Sequence, residues 1–192
     1  MRAVTASFFL SLDGVVDSPQ DWHFPYMNDE MREAVNVSMS ADTIVLGRRT
    51  YEEWAAYWPH QPSDGGLADH INGTPKLVAS RSLERLEWQN ARLIDGDVAG
   101  ALTELKRQSG GEISITGSGT LVRSLIEADV IDELRLLIHP IVVGSGKHLF
   151  EGGTEPKGME LVESAVFATG VLNVTYRRAA SSEADGQSGG DG

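Results

Sequence analysis

Residues 110–132 read GGEISITGSGTLVRSLIEADVID. Glu112 to Thr116 has the length and apolar content of a buried strand, Gly117-Ser118-Gly119 interrupts it, and Leu121, Val122, Leu125 and Ile126 then recur at the spacing of one helical face. A strand that passes through glycines into a helix lets backbone N–H groups approach a ligand closely, and the positive end of the helix favours a phosphate. The same glycines also suit a plain tight turn, because Gly-x-Gly is common. The surrounding stretches have to decide between the two.

The chain has 192 residues, 41% hydrophobic and 23% charged, which suits one α/β domain with a substantial core. No run reaches the roughly 18 consecutive apolar residues of a membrane span, and Met1-Arg2 leads into a strand-like segment rather than a signal peptide. A cytoplasmic protein with no membrane partner is expected. With no cysteine, disulfides, thiol nucleophiles and thiolate metal sites are excluded. A net charge of −12 argues against general nucleic-acid binding but leaves room for a local basic pocket.

From the start, Ala3 to Leu12 is largely apolar, as expected of a central strand covered on both faces. Asp13-Gly14 follows at its C-terminal end, the edge on which open α/β sheets build their sites; Asp13 is a candidate site residue, and Asp-Gly is also a turn pair. Residues 17–28 form a loop rich in aromatics (Trp22, Phe24, Tyr26), of the kind that lines pockets. Asn28 caps a helix whose Met31, Ala34, Val35, Ser38 and Met39 face inward. After the strand Asp42 to Leu46, the run Gly47-Arg48-Arg49-Thr50 opens a helix, with Thr50 and Glu53 at capping-box spacing. Cations are unfavourable at that helix end, so the two arginines fit either a bound anion or solvated surface positions.

Pro59 ends this helix, and Gln61 to Gly73 reads as a polar loop. Lys76 to Ala79 is a strand running into Ser80-Arg81-Ser82, Ala91 to Ile94 another. Asp97 caps a helix with Val98, Ala101, Leu102 and Leu105 inward. His139 before Pro140 reads as structural, and Lys147 in a Gly-Ser-Gly-Lys turn as a possible contact for an anionic substrate. Met159 to Phe167 and Val171 to Arg177 read as a closing hairpin with Leu172, Val174 and Tyr176 inward. Beyond Ala179 the chain is small, polar and acidic, and is expected to be disordered.

GRRTYEEW (47–54), VASRS (78–82) and ITGSGTLVRSL (115–125), in that order, resemble the NADPH-binding segments of the dihydrofolate reductase-like superfamily. SLDGVV (11–16) and LRLLIHPIVVGSGKHLF (134–150) resemble more closely the RibD C-terminal reductase domain of riboflavin biosynthesis. The resemblance spans Met1 to Arg178. It implies an α/β fold with a mostly parallel central sheet flanked by helices and a C-terminal antiparallel hairpin, over residues 1–178, with 179–192 as a tail.

By that resemblance Gly47, Arg48, Arg49 and Thr50 would hold cofactor phosphates, Ser80 and Arg81 the adenosine 2′-phosphate region, and Gly117, Ser118, Gly119, Thr120 and Leu121 the pyrophosphate and nicotinamide ribose. Asp13, with Gly14, would lie near nicotinamide and substrate and orient the substrate or relay a proton; Trp22, Phe24, Tyr51 and Trp54 would supply apolar walls. In dihydrofolate reductases a Trp-x-x-Pro segment is followed by an acid two residues after the proline. Here Pro25 is followed by Met27, with Asp29 two positions late, and the supporting threonine is replaced by Ile138, which disfavours folate reduction. The implied activity is NADPH-dependent reduction of a small heterocycle, as for 5-amino-6-(5-phosphoribosylamino)uracil, by a homodimer lacking the deaminase half. The alternatives are a non-catalytic nucleotide-binding or oligomeric interaction protein on the same fold, and a dihydrofolate/pteridine reductase.

Overall fold

The structure is a computed structural model and describes residues 1–63, 65–152 and 155–179; the expected disordered tail lies almost wholly outside them. The elements run β1 (Val4–Ser11), α1 (Asp29–Met39), β2 (Thr43–Gly47), α2 (Arg48–Tyr57), α3 (Leu67–Gly73), β3 (Lys76–Ala79), β4 (Ala91–Leu93), α4 (Val98–Lys106), β5 (Ile113–Ile115), α5 (Gly119–Glu127), β6 (Glu133–His139), β7 (Met159–Val166) and β8 (Leu172–Arg178). No helix among the described residues is long and apolar enough to cross a membrane.

These strands form one sheet in the order β4-β3-β2-β5-β1-β6-β8-β7. Strands β4 through β6 of that order are parallel to their neighbours, and β8 and β7 close the sheet antiparallel. The expected α/β architecture with its C-terminal hairpin is therefore present. Strand β5 arrives late in sequence yet inserts between β2 and β1, which brings the turns after β2, β5 and β1 together at one edge of the sheet.

Strand alternation sends Val4, Ala6, Val45, Ile113 and Ile115 to one face, where Leu102 and Leu105 of α4 and Leu121, Val122 and Leu125 of α5 cover them. The opposite face packs Ile44, Leu46 and Val78 against Tyr51, Ile71 and Trp88, and Leu137 against Met31, Phe167 and Val171. The helix starts with polar caps form as expected: Asn28 accepts from Met31 N–H and Asp97 from Ala99 N–H.

Three expectations are corrected. Helix α2 begins at Arg48 with Gly47 as its cap and no side-chain cap bond; Thr50 is already helical, so the capping box does not form, and Glu53 pairs with Arg49 instead. The expected loop Gln61–Gly73 contains α3. Its C-terminal carbonyls are closed by the fully buried Lys76, whose Nζ donates to the oxygens of Ile71 (2.8 Å), Asn72 (3.1 Å) and Thr74 (2.7 Å) beneath the Trp88 ring. Leu172, expected inward, is exposed.

Candidate active site

The site is organised by two glycines. A Cβ on Gly47 would stand 2.8 Å from Ser118 Cβ, and one on Gly117, at φ +78°, 3.1 Å from Thr50 Oγ1. Each glycine's backbone therefore packs directly against a side chain of the facing turn, Gly47 against Ser118 and Gly117 against Thr50, an approach that an added Cβ would obstruct. This sets the N-termini of α2 and α5 side by side on a cavity of about 320 Å³, within the size range of ligand pockets, about 300–1,000 Å³. In α5 the Ser118 hydroxyl accepts from Leu121 N–H. Helix α2 has no side-chain cap and no acidic residue in its first turn, so its leading N–H groups remain available to an anion.

The cavity has a polar side and an apolar side. Arg49 and Thr50 of α2, residues 116–120, Arg123 of α5, and Lys147, His148 and Glu151 from the loop after β6 form the polar side. Phe9, Leu137, Val35, Met39 and Trp54 form the apolar one. Arg49 pairs with Glu53 at 2.9 Å and Asp17 at 3.5 Å, which raises its pKa and keeps it charged. Arg123 donates to the carbonyls of His148 (3.1 Å) and Leu149 (3.0 Å) and reaches Glu151 at 3.3 Å. The Lys147 ammonium lines the cavity without an ion pair among the described residues.

Of the site residues read from the sequence, Arg49, Thr50, Trp54, Gly117, Ser118, Gly119 and Thr120 line this cavity. Gly47 and Leu121 stand behind it, the first as the close-approach point and the second in the core under α5. Arg48 pairs with Glu52 on its own helix, and the Ser80 hydroxyl accepts from the N–H groups of Ser82 and Leu83. Gly47 is in register with Ala79, so Arg48 and Ser80 leave neighbouring strand ends beside the cavity rather than in its wall, as does Arg81.

Five expected walls or ligands are placed elsewhere. Tyr51 is buried against Trp88, its hydroxyl accepting from the Glu87 and Trp88 N–H groups. Trp22 donates to the Asp17 carbonyl and meets His139 edge-on, and Phe24 is exposed beside His23. Asp13 and Gly14 are absorbed in a joint between two loops: the Asp13 carboxylate accepts from Ser11 Oγ, Val143 N–H and Gly144 N–H, and the Gly14 carbonyl accepts from Leu149 N–H.

His139 is fully buried among the rings of Phe9, Trp22, His23 and Tyr26, with Nδ1 2.8 Å from the Leu137 carbonyl and Nε2 without a partner among the described residues. Burial lowers its pKa, in keeping with a neutral structural imidazole. Sequence reasoning missed Ser7, Phe9, Leu137 and Arg123 as lining residues. Their signal is phase alone: Ser7 and Phe9 alternate on the β1 face turned toward α1, and Arg123 lies four residues, about one helical turn, after Gly119. Among the described residues no cluster of three His, Asp or Glu side chains could hold a metal.

Comparison with solved structures finds the same fold elsewhere. A protein from Shewanella sp. PV-4, provisionally named for riboflavin biosynthesis, superposes with a TM-score of 0.75 at 21% identity, covering 93% of this chain and 99% of its own. A pyrimidine reductase-like protein of Corynebacterium diphtheriae gives 0.66 at 14% identity, covering 93% and 92%. Dihydrofolate reductase of Enterococcus faecalis, complexed with NADP(H) and RAB-propyl, gives 0.64 at 18%, covering 93% and 97%. At these identities the likeness establishes a dihydrofolate reductase-like fold. Two relatives from Bacillus subtilis (strain 168), the uncharacterized proteins YyaP and YwjB, are each 26% identical, over 91% and 84% of this chain and 94% and 90% of their own length. Residues 2–173 match the model of the RibD C-terminal domain, and the chain belongs to that family.

Proposed function

We propose that the chain is an NADPH-dependent reductase of a small heterocycle, of the pyrimidine class processed in riboflavin biosynthesis. The observation that carries this reading is the pairing of two helix N-termini, made possible by Gly47 and Gly117, against one cavity that is apolar on its other side. The donor set fits a dinucleotide. Backbone N–H groups of α2 and α5, the hydroxyls of Thr50 and Thr120 and the Arg49 guanidinium are what phosphate oxygens require, while Phe9, Leu137, Val35 and Met39 exclude water from a planar ring. The nicotinamide supplies the hydride. A family of reductase type and a fold shared with an NADP(H)-bound enzyme support the assignment.

The chain's own contribution is positioning and charge. Three carboxylates line the cavity, and each is engaged by an arginine: Asp17 and Glu53 by Arg49, Glu151 by Arg123. Lys147 and His148 line the same cavity and carry N–H groups. Lys147, with no ion pair among the described residues, is also the cation for a phosphate carried by the substrate. Asp13, tied to its loops, orders the wall rather than reaching the ring.

The test is to mix purified protein with NADPH and a panel of ribosylaminopyrimidines, pyrimidines and pteridines while following nicotinamide absorbance. Oxidation of NADPH with a phosphorylated aminopyrimidine is the expected result. Cofactor binding without turnover of any of them would favour the second reading, a nucleotide-binding protein without catalysis, which the absence of a free lining carboxylate also suits.

A further inference from the structure

The floor of the cavity is a notch in the sheet. Strand β5 is three residues long and stops at Ile115, level with Ala6 on β1 and Val45 on β2, while both neighbours run on, to Ser11 and to Gly47. Ser7 and Thr116 are the next residues on the two adjacent parallel strands. They turn to the face opposite Ala6 and Ile115, whose side chains lie in the core under α4 and α5. Both line the cavity. Their hydroxyl oxygens are buried and have no hydrogen-bond partner among the described residues, and Thr116 as a whole is 9% exposed. A buried hydroxyl left unpaired is costly and uncommon. Two of them side by side in the wall of a ligand-sized cavity are accounted for by a polar group that arrives with the ligand.

We propose that these two hydroxyls read the ring of the substrate, by hydrogen bonding a neutral amide-type edge, a C=O beside an N–H, on a heterocycle laid against Phe9 and Leu137. The inference rests on the cavity being the substrate and cofactor site described above. A hydroxyl both donates and accepts, so a neighbouring pair answers a carbonyl and an N–H together. The floor offers nothing to a charge. The lining residues contributed by the strands and by α1 include no ionisable side chain, and every charged one comes from α2, α5 or the loops after β1 and β6. A carboxylate or ammonium on the floor would be desolvated without a counter-charge, whereas a neutral ring can lie there with its phosphate on the polar side beside Lys147. Selectivity follows from the same cost, because a ring without the amide edge leaves both hydroxyls unpaired when it binds.

Calorimetric titration with 5,6-diaminouracil and with 1,2-diaminobenzene, which keeps the ring and the amino groups but has C–H in place of the amide edge, tests the proposal. Wild type is expected to bind the first at least about tenfold more tightly. Thr116→Val and Ser7→Ala are each expected to narrow that ratio about three- to tenfold, while Thr116→Ser, which keeps a hydroxyl, preserves it. Thr5→Val removes another buried, unpaired hydroxyl from β1, one outside the cavity lining, and is expected to leave the ratio unchanged. The melting temperature of Thr116→Val is expected to be no lower than that of wild type, because a methyl of the same shape replaces an unpaired hydroxyl. NADPH affinity, titrated separately, is expected to be the same in all four variants. A ratio near one in wild type, binding of neither ring, or a ratio that survives both Thr116→Val and Ser7→Ala overturns the proposal. So does a loss of NADPH affinity in those two variants with the ring ratio intact, which would give the hydroxyls to the cofactor's carboxamide. A ring ratio that depends on the two hydroxyls, without NADPH oxidation by any substrate, would overturn the reductase reading and leave this one standing.

Discussion

The carboxylate of Asp13 accepts the amide N–H of Gly144 at 2.7 Å, joining the loop after β1 to the loop after β6. The joint is extended by Val143 N–H to the same carboxylate at 3.1 Å, Val16 N–H to the Lys147 carbonyl and Leu149 N–H to the Gly14 carbonyl. It presents Val16 and Asp17 from one loop, and Lys147 and His148 from the other, to the same cavity. Asp13→Ala removes the acceptor for two amides. Hydrogen exchange at Val143 and Gly144 is expected to accelerate, with a fall in kcat/KM. The Ser11 hydroxyl first, then the Gly144 and Val143 amides, hold the Asp13 carboxyl at about 2, below its ordinary 3.8. Its contribution is thus complete above about pH 4 and lost as pH falls toward 2. Unchanged exchange at both amides would remove Asp13 from this role.

His23 supplies a second acid-sensitive element. It stacks on Phe9 at 4.5 Å, and burial, followed by the neighbouring His139, pushes its pKa down to about 4 from 6.5. The folded chain therefore binds fewer protons here than the unfolded chain between those values. Stability from the neutral ring is complete above about pH 6.5 and declines as pH drops through 4. His23→Phe keeps a ring on Phe9 and removes the titration, so its melting temperature is expected to fall less steeply than wild type between pH 6.5 and 4. Parallel profiles for the two proteins would contradict this.

Lys147 is expected to act through charge alone. A charge-assisted hydrogen bond to phosphate contributes about 1.5–3 kcal/mol, or roughly ten- to hundredfold in affinity. Lys147→Ala should raise KM for a phosphorylated substrate by about that factor and leave KM for its dephosphorylated analogue nearly unchanged. An equal rise for both analogues would point to a general loosening of the loop instead.

What the sequence disclosed follows from how local each cause is. Asn28, Asp97 and Ser118 stand directly before apolar helical periods and each accepts a first-turn amide, so those helix starts are readable from neighbours alone. Helix α3 has seven residues and a glycine cap; its end is closed by the ammonium of Lys76 just beyond it, which folds back under Trp88, and a buried lysine is not a recognisable helix-end pattern. The glycine turns of the site were readable for the same local reason. The apolar wall was not, because Phe9 and Leu137 meet the helix-start turns only once β5 has inserted between β2 and β1. Tyr51 and Trp54 share one helix, but only the helix's rotation against the sheet decides that Trp54 meets the cavity and Tyr51 meets Trp88.

Cofactor choice is the sharpest expectation: NADPH bound more tightly than NADH. Arg48 and Ser80 emerge from strand ends in register through Gly47 and Ala79, and Arg81 follows, so Arg48 and Arg81 are the candidate partners of a 2′-phosphate bound beside the α2 start. Two charge-assisted contacts of about 1.5–3 kcal/mol each would give a preference on the order of a hundredfold or more. Glu52 opposes this, since both its oxygens lie within 3.0 Å of Arg48 Nη1 and must give way to the phosphate. That exposed pair is worth at most about 1 kcal/mol, so Glu52→Gln should widen the NADPH preference by no more than about fivefold, while Arg48→Ala and Arg81→Ala narrow it. Titrating both nucleotides into wild type and the three variants measures all of this. Equal binding of NADPH and NADH by wild type, or a gap that neither arginine substitution narrows, would show that no 2′-phosphate pocket exists at this helix start; loss of NADPH affinity with NADH affinity unchanged would locate it there.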